Sequence, residues 1–165
     1  MLFTPPSAYT SLSLCFVLAY VPHLVKAIVV NKKLTKESAN TSSKDADNKK
    51  SSLRLYDLRW PRLAVSAAID SSQEGRLISR LDAAHYNALE NYPLLVAAVL
   101  GALFAGVDSS QVQLHAFGYF CLRIVYTVLY AINVQTRTAL ARSLVWILSL
   151  IILFHLLFLA SSMQK

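Results

Sequence analysis

Charge is scarce in this chain of 165 residues: Asp, Glu, Lys and Arg make up 15% of it, against about a quarter of an ordinary soluble domain. Acids are the scarcer sign, nine against sixteen Lys and Arg, which leaves a net charge of +7. The two cysteines, Cys15 and Cys121, are too few for a disulfide framework. There is no HExxH or CxxC, and His23, His85, His115 and His155 share no metal-ligand spacing. No metal is therefore expected, and each histidine reads as a capping or packing residue. What the chain has in plenty is apolar surface, with 55% hydrophobic residues and a mean hydropathy of +0.45. That balance excludes a wholly disordered chain and a compact nucleic-acid-binding domain, whose basic face needs a soluble fold beneath it. By length the chain is one domain, and by composition a membrane protein.

A membrane span needs about 20 mostly apolar residues, and four stretches qualify, at about 8–30, 80–107, 112–134 and 143–163. No charge occurs from Met1 to Val25, from Asn91 to Val107, or from Ser143 to Gln164, and Val112 to Val134 carries only Arg123. The first stretch is long, lacks a basic n-region and has Lys26 at its far end, so it reads as an uncleaved helix rather than a signal peptide. The expected fold is an all-α, four-helix transmembrane bundle.

Charge then sets orientation. Twelve Lys and Arg fall between Lys26 and Arg80, and the short third connection is expected to hold Arg137 and Arg142. The positive-inside bias puts both connections in the cytoplasm and both termini on the lumenal or exterior side. Asn40-Thr41-Ser42 is formally a glycosylation acceptor, but this topology puts it on the wrong side for use. Residues 31–53 mix Lys, Ser, Asn and Asp without apolar period and read as a disordered cytoplasmic loop. Glu37, Asp45 and Asp47 dilute its attraction to anionic lipid. From Leu53 to Gly75, Tyr56 and Trp60 interleave with Arg54, Arg59 and Arg62, a pattern suited to lying along the membrane interface.

Charged and polar residues inside a span are costly and mark function by default. In the second span Arg80 and Asn87 lie about 20° apart around a helix, with Glu90 about 60° beyond, so the three share a face while Asp82 and His85 point elsewhere. In the third, Tyr119, Arg123, Tyr126 and Tyr130 stand at i, i+4, i+7 and i+11 and fall within an arc of about 60°. The structural alternative for Tyr119 is interhelical packing, and for Glu90 a buried Glu90–Arg123 pair that only joins helices. Yet Arg80, Asn87, Arg123, Tyr126 and Tyr130 exceed what one ion pair needs. Cationic donors, an amide, phenols and one carboxylate suit a small zwitterionic ligand with carboxylates and an amine. No protein nucleophile is evident, because Cys15 and Cys121 lie in apolar spans. Any thiol chemistry must borrow its sulfur.

The set Arg80…Asn87-x-x-Glu90-x-x-Pro93, Arg123-x-x-Tyr126-x-x-x-Tyr130 and Arg142-Ser143 resembles the MAPEG family, membrane-associated proteins of eicosanoid and glutathione metabolism. The similarity covers Arg80 to Trp146, and AAHYNALENYPLLVAAVL with RSLVW is closest to the small bacterial-type branch. The resemblance implies a homotrimer with sites between adjacent subunits, binding glutathione near the cytoplasmic side. It implies that Asn87 and Glu90 bind glutathione's polar backbone, Glu90 taking the amine, and that Arg80, Arg123, Tyr126 and Tyr130 hold its carboxylates and amides. Arg142 would stabilise the thiolate. The chain departs from the pattern twice: Ala83 stands where many members have arginine, and the spacing from Tyr130 to Arg142 is long, so Arg137 is the alternative activator.

These features give three expectations. The first is a glutathione-dependent transferase or peroxidase acting on hydrophobic, lipid-like electrophiles dissolved in the membrane. The second is a non-catalytic member of the same fold that binds lipid and presents it to a partner. The third is a small channel or transporter subunit with Arg123 and Glu90 in a polar path. The expected location is the endoplasmic reticulum if eukaryotic, or the inner membrane if bacterial.

Overall fold

A computed structural model describes residues 4–40, 72–132 and 135–163. They form four helices: α1 (Ala8–Asn40), α2 (Gln73–Phe104), α3 (Ser109–Ala131) and α4 (Thr136–Ser162). All four are long and apolar enough to cross a membrane, and among the described residues there is no strand. The chain is an all-α, multi-pass membrane protein.

α1 runs past the end of its expected span, while α2, α3 and α4 begin three to seven residues ahead of theirs and end one to three residues short of them, for local reasons. α1 continues to Asn40, so residues 31–40 are helical rather than the start of a disordered loop; the remainder of that expected loop, 41–53, lies outside the described residues. Lys, Leu and Glu in NKKLTKESAN are good helix formers, with no Gly or Pro among them. Lys36 comes within 4.0 Å of Glu74 on α2. α2 starts seven residues ahead of Arg80 because Ser72 caps it, its Oγ accepting from the Gly75 N–H at 3.0 Å. Most of the expected interfacial stretch from Leu53 lies outside the described residues, and its last residues open α2.

α4 starts at Thr136, so Arg137 and Arg142 stand on the helix and not in a connection. Thr138 Oγ1 ties the start of α4 together, accepting from the Gln135 N–H at 3.3 Å.

α2 and α3 are the central pair. Each packs on the other and on both outer helices, whereas α1 and α4 do not touch. The α2–α3 turn is tight because Gly106 takes φ +83, a left-handed conformation that costs glycine nothing. That lets the Val107 N–H reach the Ala102 carbonyl at 3.0 Å and the Gly106 N–H reach that of Leu103 at 3.2 Å, satisfying the last carbonyls of α2. Asp108 then caps α3, accepting from the N–H groups of Ser110 and Gln111 and from the Ser110 hydroxyl. Beside this turn lies the main apolar core, built from small residues such as Ala98, Ala102 and Ala116 with Val99, Leu153 and Leu156. Small side chains let spanning helices approach closely, which matters where lipid supplies no hydrophobic drive to associate. The polar residues collect at the other end of the bundle, the basic end.

Candidate functional site

At the basic end, side chains from α2, α3 and the first turns of α4 form a cationic and aromatic cluster. Arg123, on α3, is its centre: only 4% of it is exposed. Its Nη2 donates to Asn87 Oδ1 on α2 at 3.4 Å. Its guanidinium stacks over the Tyr126 ring at 4.4 Å and lies 6.0 Å from that of Tyr119. The Tyr126 and Tyr130 rings meet edge-on at 5.4 Å, and Arg142 from α4 stacks on Tyr130 at 4.4 Å. The row therefore runs Arg123, Tyr126, Tyr130, Arg142 along the α3–α4 side, two rings between two guanidiniums. A cation–π contact is worth about 0.5–1 kcal/mol where exposed and about 2 kcal/mol where desolvated, less than the several kcal/mol that burying a guanidinium costs.

The remaining candidates divide. Arg80 reaches from α2 to the C-terminus of α3, donating from Nε to the Ala131 carbonyl at 3.3 Å, where a cation meets the negative end of the helix dipole. Glu90 is exposed, and no Glu90–Arg123 ion pair forms among the described residues, so the buried-pair alternative does not describe this molecule. Arg137 is exposed on the first turn of α4, and among the described residues no hydrogen bond, ion pair or ring contact engages it. Tyr119 belongs to the apolar core, in keeping with a packing role.

Arg123 Nη1 is buried and has no hydrogen-bond partner among the described residues. A pocket with room for about one water molecule adjoins it between α1, α2 and α3, lined by Cys15, Tyr92, Tyr119 and Thr127. A buried guanidinium without a carboxylate is costly unless an anion or a hydrogen-bond acceptor compensates it. The arrangement is therefore suited to a ligand that brings negative charge.

Three polar pairings are products of packing that no motif in the sequence connects. Lys26 of α1, 4% exposed, forms an ion pair with Asp82 of α2. Lys26 is an isolated charge in an apolar span, which signals that it needs a partner, but the sequence alone does not single out Asp82 beside Arg80. His85 bonds through Nδ1 to the Ala19 carbonyl at 2.8 Å, and its ring meets that of His23 at a tilt, 4.9 Å between centroids. At the opposite end His115 Nε2 meets His155 Nδ1 at 2.8 Å, across a sequence separation that no motif connects. Among the described residues no group of three or more His, Cys, Asp or Glu is placed to hold a metal.

A four-helix membrane bundle with this cluster at one end is the class that fold and site define. The model of the MAPEG family matches residues 7–162, and the chain belongs to that family. No curated protein and no solved structure matches it.

Proposed function

We infer that the protein is a membrane-bound, glutathione-dependent transferase or peroxidase acting on hydrophobic electrophiles. The observation that carries this reading is the stack Arg123–Tyr126–Tyr130–Arg142, with the buried guanidinium of Arg123 uncompensated by any carboxylate. Glutathione matches that deficit with two carboxylates, two peptide carbonyls and an amine, and the family is glutathione-associated. In this reading Arg80, Asn87, Arg123, Tyr126 and Tyr130 hold its carboxylates and amides, and Glu90 takes the amine. Glutathione supplies the sulfur nucleophile that the chain lacks.

A cation beside the sulfur lowers the thiol's pKa and raises the thiolate population at neutral pH. Arg142 is favoured for this task because it is anchored on Tyr130, inside the cluster, whereas Arg137 is exposed and unheld. Glu90 lies on the protomer surface, so a second copy of the chain closes the site from that side in the homotrimer that we propose. The electrophile enters sideways from the bilayer. The basic end faces the cytoplasm by the positive-inside rule, with both termini lumenal or exterior.

Ala83, where many relatives have arginine, favours the second reading, a lipid-binding member without catalysis, because it removes a cation from the carboxylate site. One titration separates the two. Glutathione is added to the full chain in detergent, and thiolate absorbance is followed in the near ultraviolet beside Arg142→Ala. Saturable thiolate formation that the variant loses is the expected result. Glutathione binding without thiolate, or lipid binding without glutathione binding, supports the second reading. No glutathione binding together with glutathione-independent ion flux in liposomes supports a channel.

A further inference from the structure

Asn87 is held in one orientation by two donors. Asn91 stands one turn further along α2, and its Nδ2 donates to the Asn87 main-chain carbonyl at 2.8 Å and to Asn87 Oδ1 at 3.3 Å. A main-chain carbonyl only accepts, so the nitrogen of the Asn91 amide is the atom that faces Asn87. A guanidinium only donates, so the Asn87 atom facing Arg123 Nη2 at 3.4 Å is its oxygen. Both N–H groups converge on Oδ1. Turning the Asn87 amide over would set its own NH2 against two donors, leaving four N–H groups with no acceptor among them. The two contacts bias the amide toward leaving Nδ2 as its uncommitted end, and no acceptor among the described residues takes it.

The geometry points to Asn91 as a positioning residue: with Arg123 it presents the Asn87 NH2 to the ligand as a donor. The group Asn87 binds is therefore an acceptor, a carbonyl or carboxylate oxygen, and not an amine or a hydroxyl hydrogen. This inference rests on the reading of the site as glutathione's. It divides the ligand between Asn87, which takes oxygen, and Glu90, the cluster's carboxylate, which takes the amine. Asn91 is spaced from Asn87 as i and i+4, so it acts within one helix and needs no second subunit.

Four variants of the full chain in detergent test it: Asn87→Ala, Asn91→Leu, Asn91→Asp, and the double Asn87→Ala/Asn91→Leu. Glutathione affinity is read by calorimetry. Loss of one hydrogen bond to the ligand weakens binding about tenfold in Asn87→Ala. Asn91→Leu frees the amide to turn and weakens it about threefold. Asn91→Asp has nearly the shape of asparagine but offers an acceptor to Asn87, favours the inverted amide and weakens binding more than Asn91→Leu does. The double variant binds no worse than Asn87→Ala alone, because Asn91 acts only through Asn87. Independent, multiplying losses in the double variant, or an Asn91→Asp variant that binds like the parent, would overturn the positioning role while leaving glutathione binding intact. The side-chain amide resonance of Asn87 in ligand-free, 15N-labelled protein gives a readout without glutathione. It moves in Asn91→Asp and Asn91→Leu if Asn91 sets the amide's orientation, and an unmoved resonance overturns the role. A parent protein that binds no glutathione sinks the functional reading instead, and the resonance still decides the case of Asn91.

Discussion

The two ends of the bundle solve opposite problems with the same four helices. Around the α2–α3 turn the polar groups are largely spent on structure: Asp108 caps α3, Gly106 closes α2, and His115 pairs with His155 beside a core of small and branched side chains. At the basic end the polar groups exceed what structure needs. Lys26 is matched by Asp82, but Arg123 is left with ring faces, one amide oxygen and an unpartnered nitrogen. The first end has little to give a ligand. In the proposed reading glutathione completes the second, so that packing and binding are separated along one axis.

The largest test of that contrast is the ion pair that anchors the basic end. Lys26→Met strands Asp82 and Asp82→Asn strands a lysine that is almost wholly buried. Each is expected to cost about 3 kcal/mol, at the low end for a broken buried pair because Asp82 keeps some exposure. The double variant Lys26→Met/Asp82→Leu recovers most of the loss, read as thermal unfolding in micelles. Single variants as stable as the parent would mean that the polar half carries no anchor of its own.

Leu156→Ala probes the other end, where the leucine is fully buried in the apolar core. The cavity is expected to cost about 3 kcal/mol with glutathione affinity unchanged within twofold. A matching fall in affinity would show that the two ends are not separate. Arg142→Ala reverses the pattern. Turnover and thiolate formation should fall about a hundredfold, the scale of one lost electrostatic contact to developing charge, or about 2.7 kcal/mol. The melting temperature moves far less than in Leu156→Ala, since the lost contact is a single cation–π stack. Arg137→Ala changes turnover little. An Arg137 variant as impaired as Arg142→Ala would transfer the thiolate role to the exposed residue.

How much of this was legible in the sequence follows from how far each contact reaches. The four spans follow from apolar runs, and the stripe Tyr119, Arg123, Tyr126 and Tyr130 from helical period, because both are properties of one segment. The contact of Arg142 with Tyr130 depends on how α3 and α4 lie together, and a long residue spacing does not translate into distance when α4 begins at Thr136. Lys26 with Asp82 and His115 with His155 are likewise products of packing. Helix ends differ from expected spans for another reason: hydropathy marks where a membrane stops, but capping at Ser72 and Gln135 and good helix formers in 31–40 decide where a helix stops. Asn91 was legible, one turn from Asn87, but period alone does not say which amide end a neighbour takes.

The smallest expected effect concerns the cap at the apolar end. The Asp108 carboxylate is held below its ordinary pKa of 3.8, first by the Ser110 hydroxyl and then by the N–H of Gln111, with the Ser110 N–H adding to it. A carboxyl group depressed in the folded state stabilises the fold above its unfolded pKa and loses that stabilisation as pH falls through the folded value. The parent is therefore expected to melt above Asp108→Ala at neutral pH, with the gap constant down to about pH 5 and closing below about pH 4. Because the cap lies far from the cationic cluster, glutathione affinity of Asp108→Ala should match the parent at every pH where both are folded. A gap that persists at pH 2, or one that opens between pH 6 and 8, would assign the cap's effect to something other than the charge of Asp108.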